Sequence, residues 1–284
     1  MSLKRPPFLI CLSFTLLFSI CMVNSGFAKE DGFTTIDVPG ATYTQANGIN
    51  SPGDIVGYYG NATADHGFLL SRGAFTTIDV PSASHTAANG VNPEGDIVGF
   101  YVDTARSEHH GFLLSKGAFT TIDVPGAFST EANGINPRGD IVGFYINATG
   151  LHGFLLSKGA FTTIDVPGAF STGAYGINPK GEIVGYYNNA MGNHGFLLSD
   201  GVFTKIDSLV TNATAAFGIN SQGNIVGFYE GGVGLRGFLL SKGAFTTIDV
   251  PDAFISATRG INSQGDIVGY YRNATGLHGF RLSQ

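Results

Sequence analysis

Tryptophan is absent from the 284 residues, and cysteine occurs only twice, as Cys11 and Cys21. Without Trp, the largest aromatic platform a protein can offer a sugar ring is missing, which argues against an ordinary sialidase or lectin. Both cysteines fall within the first 28 residues, so the rest of the chain can form no disulfide and must be held by its core alone. Charge is scarce as well. Only 13% of residues are charged, and no basic run occurs, so the electrostatic footprint of a nucleic-acid binder is missing. Setting Lys4 and Arg5 aside takes 15 basic side chains to 13, against 21 acidic ones, a net charge of −8 for the remainder. Past residue 28 there is no helical periodicity and no apolar run long enough to cross a bilayer. What is plentiful is glycine, with 42 residues, together with Thr, Ser and Asn. That is the composition of turn-rich β-structure and not of a disordered chain.

The first 28 residues stand apart. Lys4 and Arg5 precede an uncharged apolar run from Phe8 to Val23, and Gly26 and Ala28 place small residues at the −3 and −1 positions of a cut after Ala28. Basic, apolar, then small is the pattern of a secretory signal peptide. Residues 1–28 are therefore expected to be a signal peptide, and residues 29–284 a secreted domain, extracellular or periplasmic. The alternatives are an uncleaved anchor and a lipoprotein cut at Cys21; bulky Ile20 before the cysteine opposes the second.

The rest of the chain is one repeat. Phe-Thr-(Thr/Lys)-Ile-Asp begins at Phe33, Phe75, Phe119, Phe161, Phe203 and Phe245, spaced by 42, 44, 42, 42 and 42 residues. Gly-(Ile/Val)-Asn ends at Asn50, Asn92, Asn136, Asn178, Asn220 and Asn262. Ile-Val-Gly-(Tyr/Phe)-Tyr and (His/Arg)-Gly-Phe-(Leu/Arg)-Leu-Ser recur with the same spacing. Each string is short, rich in β-branched and aromatic residues, and bounded by Gly, Pro, Asn or Ser, which reads as a strand. Ser-Lys-Gly-Ala marks a tight hairpin tip, and Asn136-Pro-Arg-Gly139 a type I turn closed by a glycine at positive φ. Each repeat is thus a four-stranded antiparallel meander. In chain order its strands are A (Gly-Ile-Asn), B (Ile-Val-Gly-Tyr-Tyr), C (Gly-Phe-Leu-Leu) and D (Phe-Thr-Thr-Ile-Asp).

The strands are apolar on both faces, as in Ile55-Val56 and Leu69-Leu70. A meander covered on both sides by its neighbours is a propeller blade, whereas a solenoid would need polar capping repeats, and the end copies look like the middle ones. The expected fold is an all-β six-bladed β-propeller of four-stranded antiparallel blades. Its two ends meet within one C–D hairpin, so the N-terminal strand is expected to pair with the C-terminal one and close the ring.

The strings Gly-Ile-Asn-x-x-Gly-Asp-Ile-Val-Gly, Phe-Thr-Thr-Ile-Asp-Val-Pro-Gly and His-Gly-Phe resemble the extracellular HAF repeat family, here in a His-Gly-Phe variant. The resemblance covers residues 32–284. It implies a bacterial exported protein of propeller-like architecture, and it implies no catalytic residues.

Several series could carry chemistry. His66, His110, His152, His194 and His278, with Arg236 in the remaining copy, open strand C. They lie roughly 10 Å outside strand A, too far apart to share a metal with bonds of about 2 Å. They are expected to donate hydrogen bonds within or between blades. Asp37, Asp79, Asp123, Asp165, Asp207 and Asp249 occur in every copy and read as structural. Asp54, Asp96, Asp140, Glu182, Asn224 and Asp266 follow a turn glycine, where they can accept turn N–H groups. Gly232-x-Gly-x-x-Gly237 matches a dinucleotide fingerprint but lacks the helix that would bind phosphate. No metal site, cofactor or catalytic group is expected from these series.

The informative positions are those where the copies differ. Just before Gly-Ile-Asn, one position reads Asn47, Asn89, Asn133, Tyr175, Phe217 and Arg259. It is expected at the mouth of the central channel, where a polar half faces an aromatic half with an arginine. Arg106, in the longest B–C loop, and Arg236 are candidate helpers. The functional reading is a monomeric binding or adhesion module for an unknown extracellular ligand, polar or anionic and glycan-like. The alternatives are a propeller lyase or hydrolase working at the channel mouth, and a purely structural surface protein. No membrane contact is expected after cleavage. N-terminal sequencing of the exported protein is expected to start at Lys29; an intact Met1 in the membrane fraction would favour the anchor.

Overall fold

The computed structural model describes residues 32–104, 107–208, 213–232 and 234–284. Residues 1–28, expected to be a signal peptide, and Arg106 lie outside the described residues. No α-helix occurs among the described residues, and none of their elements is long and apolar enough to cross a membrane as a helix.

The chain enters on β1 (Phe33–Ile36) and then repeats one meander. The first copy is β2 (Tyr43–Ile49), β3 (Ile55–Gly60), β4 (Asp65–Ser71) and β5 (Ala74–Ile78). The second is β6 (Ala83–Val91), β7 (Ile97–Asp103), β8 (His109–Ser115) and β9 (Ala118–Ile122). There follow β10 (Ser129–Ile135), β11 (Ile141–Asn147), β12 (Gly150–Ser157) and β13 (Ala160–Ile164). The next copy is β14 (Ser171–Ile177), β15 (Ile183–Asn189), β16 (Gly192–Ser199) and β17 (Val202–Ile206). After it come β18 (Thr214–Ile219), β19 (Ile225–Gly231), β20 (Gly234–Ser241) and β21 (Ala244–Ile248). The chain leaves on β22 (Ile255–Ile261), β23 (Ile267–Asn273) and β24 (Gly276–Leu282).

Four of the sheets are separate four-stranded antiparallel blades: β10 to β13, β14 to β17, β18 to β21, and β22 to β24 with β1. The arrangement is that of a propeller. In the last of these sheets β1 lies antiparallel against β24, from Phe33 opposite Leu282 to Ile36 opposite Gly279. The remaining eight strands form one sheet and not two. Its two meanders are joined in backbone strand pairing by a single parallel pair, Asp65 with His85. The reason is local: the Asp65 carboxylate meets His85 Nδ1 at 2.9 Å, which draws the two edges together.

Residue chemistry explains the frame. Phe68, Phe112, Phe154, Phe196, Phe238 and Phe280 in the strand-C positions are buried completely or nearly so. Each sits opposite the glycine of Ile-Val-Gly, as Phe68 opposite Gly57. A Cβ on Gly57 would come within 2.8 Å of the Phe68 ring and 1.9 Å of the Gln45 carbonyl oxygen. Burying one such ring stabilises by about 2–3 kcal/mol, and the glycine is what makes room for it. At the hairpin tips both residues take positive φ, as Lys158 at 51° and Gly159 at 80°. That is the type I′ geometry whose twist matches the strands, so the lysine as well as the glycine carries the strain. The A–B turn is closed as expected, with Gly139 at φ 79° and its N–H on the Asn136 carbonyl at 3.0 Å.

The acidic series after the turn glycine works differently from expectation. The turn N–H goes to the asparagine side chain, Asp54 N donating to Asn50 Oδ1 at 2.8 Å. The carboxylate instead accepts from Asn50 Nδ2 at 3.0 Å. The same amide group crosses to the next innermost strand. Asn50 Nδ2 donates to the Asn92 carbonyl at 3.1 Å, Asn178 to Asn220 at 3.2 Å, and Asn220 to Asn262 at 3.1 Å. These asparagines are buried, and an orphaned buried partner costs about 1–3 kcal/mol. Asn178→Ala strands the Asn220 carbonyl and the Glu182 turn together. Urea unfolding is expected to show a loss of about 2–3 kcal/mol, while Lys180→Ala in the same turn leaves the midpoint nearly unchanged.

Candidate functional site

Every innermost strand carries a β-bulge at the same place. Pairing slips between Ala46 and Gly48, Ala88 and Gly90, Ala132 and Gly134, Ala174 and Gly176, Ala216 and Gly218, and Thr258 and Gly260. The extra residue in each case is the variable one: Asn47, Asn89, Asn133, Tyr175, Phe217 or Arg259. A bulge re-aims a side chain out of the ladder, and these six line the walls of the central channel. They also meet at its mouth, in a cavity of about 350 Å³. A larger groove of about 800 Å³ lies elsewhere, lined by turn residues such as Gly53, Asp54, Arg72 and Gly73 that belong to the repeat frame. The smaller cavity is the better site because its lining is where the copies diverge.

The three asparagines form a relay. Asn47 Nδ2 donates to the Ala88 carbonyl at 3.1 Å and to Asn89 Oδ1 at 3.2 Å. Asn89 Nδ2 does the same to Ala132 and Asn133, at 3.2 and 3.0 Å. Asn133 Nδ2 reaches the Ala174 carbonyl at 3.1 Å. The next bulge residue is Tyr175, so among the described residues the second amide proton of Asn133 lacks the acceptor that the other two find. The expected polar half is thus mostly spent on stapling strands, and its one spare donor sits beside the aromatic half.

That aromatic half is packed. Tyr175 stacks on Tyr186 at 5.4 Å and meets Phe217 edge-on at 4.8 Å. Phe217 stacks on Phe228 at 5.1 Å and is only 8% exposed. The Arg259 guanidinium lies 4.1 Å over Phe217, 5.4 Å from Tyr270 and 5.8 Å from Phe228. Phe217 is therefore the floor under the arginine and not an open contact. Among the described residues Arg259 makes no ion pair, and its buried Nε has no hydrogen-bond partner. A second cavity of about 280 Å³ shares Tyr175, Phe217 and Arg259 as a wall. Arg236 is elsewhere: it pairs with Asp249 at 3.1 Å, taking the part that histidine plays in the other copies.

In those copies the histidine and aspartate series prove to be one feature. His66, His110, His152, His194 and His278 each present Nδ1 to Asp79, Asp123, Asp165, Asp207 and Asp37, at 2.9 to 3.0 Å.

The site also contains residues that the sequence reading missed. Tyr43 donates its hydroxyl to Asp65 Oδ1, and Asp65 Oδ2 faces His85 Nδ1 at 2.9 Å. His85 stacks on one face of Phe100 at 5.3 Å, and His109 on Phe100 at 5.1 Å. His109 Nδ1 meets Glu131 Oε1 at 2.6 Å. Tyr43, Asp65, His85, Phe100 and Glu131 all line the same cavity. Tyr43 and Gln45 precede Asn47 by four and two residues, so the alternation of a strand turns all three to one side. Burial, together with Asp65, pushes the Tyr43 hydroxyl well above the ordinary phenol range. Burial lowers His85 below 6.5 against the opposing pull of Asp65. The Glu131 hydrogen bond raises His109 above 6.5.

No family model matches the chain, and no curated protein matches it in sequence. Solved structures share its fold at low identity. The β-propeller domain of the Trilobed protease from Pyrococcus furiosus, described as having an open velcro topology, superposes with a TM-score of 0.54 at 12% identity, covering 86% of this chain and 82% of that one. TolB from Acinetobacter baumannii gives 0.53 at 11%, covering 84% of this chain and 54% of that one. A protein provisionally described as a gluconolactonase gives 0.52 at 12%, covering 90% and 93%. At this identity the likeness shows the propeller fold.

Outside the cavity, the long B–C loop brings Asp103, Glu108 and His110 together, with one ligand atom from each within 4.8 Å of the others. Carboxylate and imidazole at that spacing suit a divalent cation.

The two shifted histidines have opposite signatures in stability. His109 is raised, so its stabilisation is complete below about pH 6.5 and is lost as pH rises through the folded value. His85 is lowered, so a penalty enters as pH falls through about 6.5 and is complete below the folded value. Replacing His109 with Gln is expected to lower the melting temperature near pH 6 by more than near pH 9; an equal loss at both would show that the Glu131 pair is not ionic.

Proposed function

We propose that the protein is an exported binding module whose ligand is a small anionic molecule, of the kind an acid-bearing saccharide provides, held at the mouth of the central channel. The observation that carries this reading is Arg259. Its guanidinium rests on aromatic faces, a contact worth about 0.5–2 kcal/mol, yet makes no ion pair among the described residues. A cation fixed in place and left without a counter-charge is a prepared anion site. Tyr175 and Phe144 add ring faces beside it, and Asn133 a spare amide donor. The acidic groups of the cavity, Asp65 and Glu131, are engaged by His85 and His109. A ligand with one charged end would bind with that end at Arg259.

The wider reading is a secreted, monomeric, six-bladed propeller with a closed ring, kin to extracellular HAF repeats. The count of six is supported by the eight-stranded sheet, whose two meanders are joined in strand pairing by the Asp65 to His85 bridge alone. Closure is supported by the pairing of β1 with β24, by His278 on Asp37 at 2.9 Å, and by Asn262 Nδ2 on the Asn50 carbonyl at 3.3 Å. Export is supported by the apolar run from Phe8 to Val23 behind Lys4 and Arg5.

Calorimetric titration with an oligogalacturonate and with a neutral oligosaccharide of equal length is the test. The anionic chain is expected to bind more tightly, less so at high salt, and Arg259→Gln is expected to weaken it by about tenfold to a hundredfold. Equal binding of both chains, or unchanged affinity in Arg259→Gln, would refute the reading.

A further inference from the structure

We propose that the cavity is also catalytic, with His85 as a general base that removes the proton beside a bound carboxylate, so that acid-bearing saccharides are cleaved there by β-elimination. The inference takes its substrate from the anion site at Arg259 and adds the chemistry.

The geometry is that of an oriented base. Asp65 is held by the Tyr43 hydroxyl on one oxygen and faces His85 Nδ1 with the other, at 2.9 Å. With the carboxylate facing Nδ1, the tautomer that carries its proton there is the favoured one, and it leaves the Nε2 lone pair free. Among the described residues Nε2 of His85 has no hydrogen-bond partner, and the ring lines the cavity. The imidazole cannot swing away, because Phe100 stacks on it at 5.3 Å and Tyr58 meets it edge-on at 5.9 Å. His66, His152 and His278 provide the contrast. Each uses Nδ1 for an aspartate and Nε2 for a loop side chain, Asn61, Thr149 or Thr275. They are fasteners with both nitrogens engaged. His85 has the same carboxylate support and an open second nitrogen. Burial lowers its pKa against the pull of Asp65, which favours the neutral form that can accept a proton.

Tyr58 supplies the complementary group. Its ring touches His85, its hydroxyl has no hydrogen-bond partner among the described residues, and burial raises it above the ordinary phenol value while Arg259 pulls the other way. It therefore stays protonated and can donate. Groups pushed apart in this way sort into base and acid. Glycoside hydrolysis, which needs two available carboxyl groups, fits less well, because Asp65 and Glu131 are both taken by histidines.

The step balances without a co-reactant. Arg259 neutralises the carboxylate, which makes the adjacent C–H acidic. The proton goes to His85 Nε2, and its bonding pair becomes the new carbon–carbon double bond. The carbon–oxygen bond on the next carbon breaks, and the leaving oxygen keeps that pair and takes a proton from Tyr58. One saccharide chain gives an unsaturated acid and an alcohol, and solvent returns the proton from His85 to Tyr58.

The test follows oligogalacturonate and oligoalginate by the ultraviolet absorbance of the conjugated unsaturated acid, alongside calorimetric binding of the same oligomers. The wild-type protein is expected to form the product. His85→Gln is expected to slow it by about 100-fold or more while still binding. Asp65→Asn, which keeps the shape but not the charge behind His85, is a second variant expected to slow it likewise should His85→Gln fold poorly. Binding without product in the wild type, or product at the wild-type rate in His85→Gln, would overturn the catalytic inference and leave the anion site standing. Absence of binding would overturn both.

Discussion

The closeness of the innermost strands is the constraint on which the rest of the molecule depends. A Cβ on Gly48 would lie 2.8 Å from the Asn89 carbonyl oxygen of the next innermost strand, and one on Gly134 would lie 2.6 Å from that of Tyr175. Only glycine fits at that approach. Two consequences follow from the crowding. Backbone groups on facing strands come within reach of one buried side chain, and the Asn of Gly-Ile-Asn crosses the gap. The strand also cannot present an inward side chain at the glycine itself. The bulge one residue earlier shifts the pairing and puts the lining side chain there instead. Glycine, asparagine and bulge are one device, and the channel wall is its product.

Farther out, a second device holds each blade together. The doubled aromatic of strand B divides its labour. Tyr59, Tyr145 and Tyr271 lie tilted against the neighbouring strand-C histidines at 5.3 Å and bond the threonines of strand D. The other ring of the pair, Tyr58, Phe100 or Phe144, turns to the channel. Adjacent residues of a strand face opposite sides, so the Tyr-Tyr or Phe-Tyr dipeptide supplies a fastener and a lining residue in one step.

The frame was legible in the sequence because it is written many times. Strand boundaries, turn types and the meander could be read from Phe33, Asn136-Pro137 or Gly57 once their copies were aligned. The pairing of His66 with Asp79, thirteen residues on, was not legible as a pair, since spacing along two strands does not reveal which side chains share an edge. The site was half legible. Comparing copies exposed Tyr175, Phe217 and Arg259, because their partners in other blades are asparagine. Tyr43, His85 and Glu131 differ among copies just as strongly. They escaped notice because variation on a strand becomes informative only after the residues are sorted by face, and the variable position was compared among copies without the residues two and four places before it. The signal that could have found them is variability at the second and fourth positions before the bulge, together with the Asp65 and His109 position that opens strand C.

A propeller of identical blades would have a channel with no preferred direction, and it could not orient a ligand with one charged end. Here direction comes from an interruption. The amide relay runs from Asn47 through Asn89 to Asn133, and each link satisfies the next. Tyr175 cannot continue it, so the relay stops with one donor unspent. Beyond that point the wall is ring against ring, ending in a guanidinium that Phe217 supports and no carboxylate neutralises. In the same cavity, Asp65 and Glu131 are engaged by His85 and His109. These carboxylates and the Arg259 guanidinium thus line one cavity of about 350 Å³. The packing frame is indifferent to all of this, because the bulge holds these side chains clear of the blade core. A chain can therefore keep its repeat intact and still build a polar axis across the channel, by changing only the residues that the crowding of the innermost strands has left free.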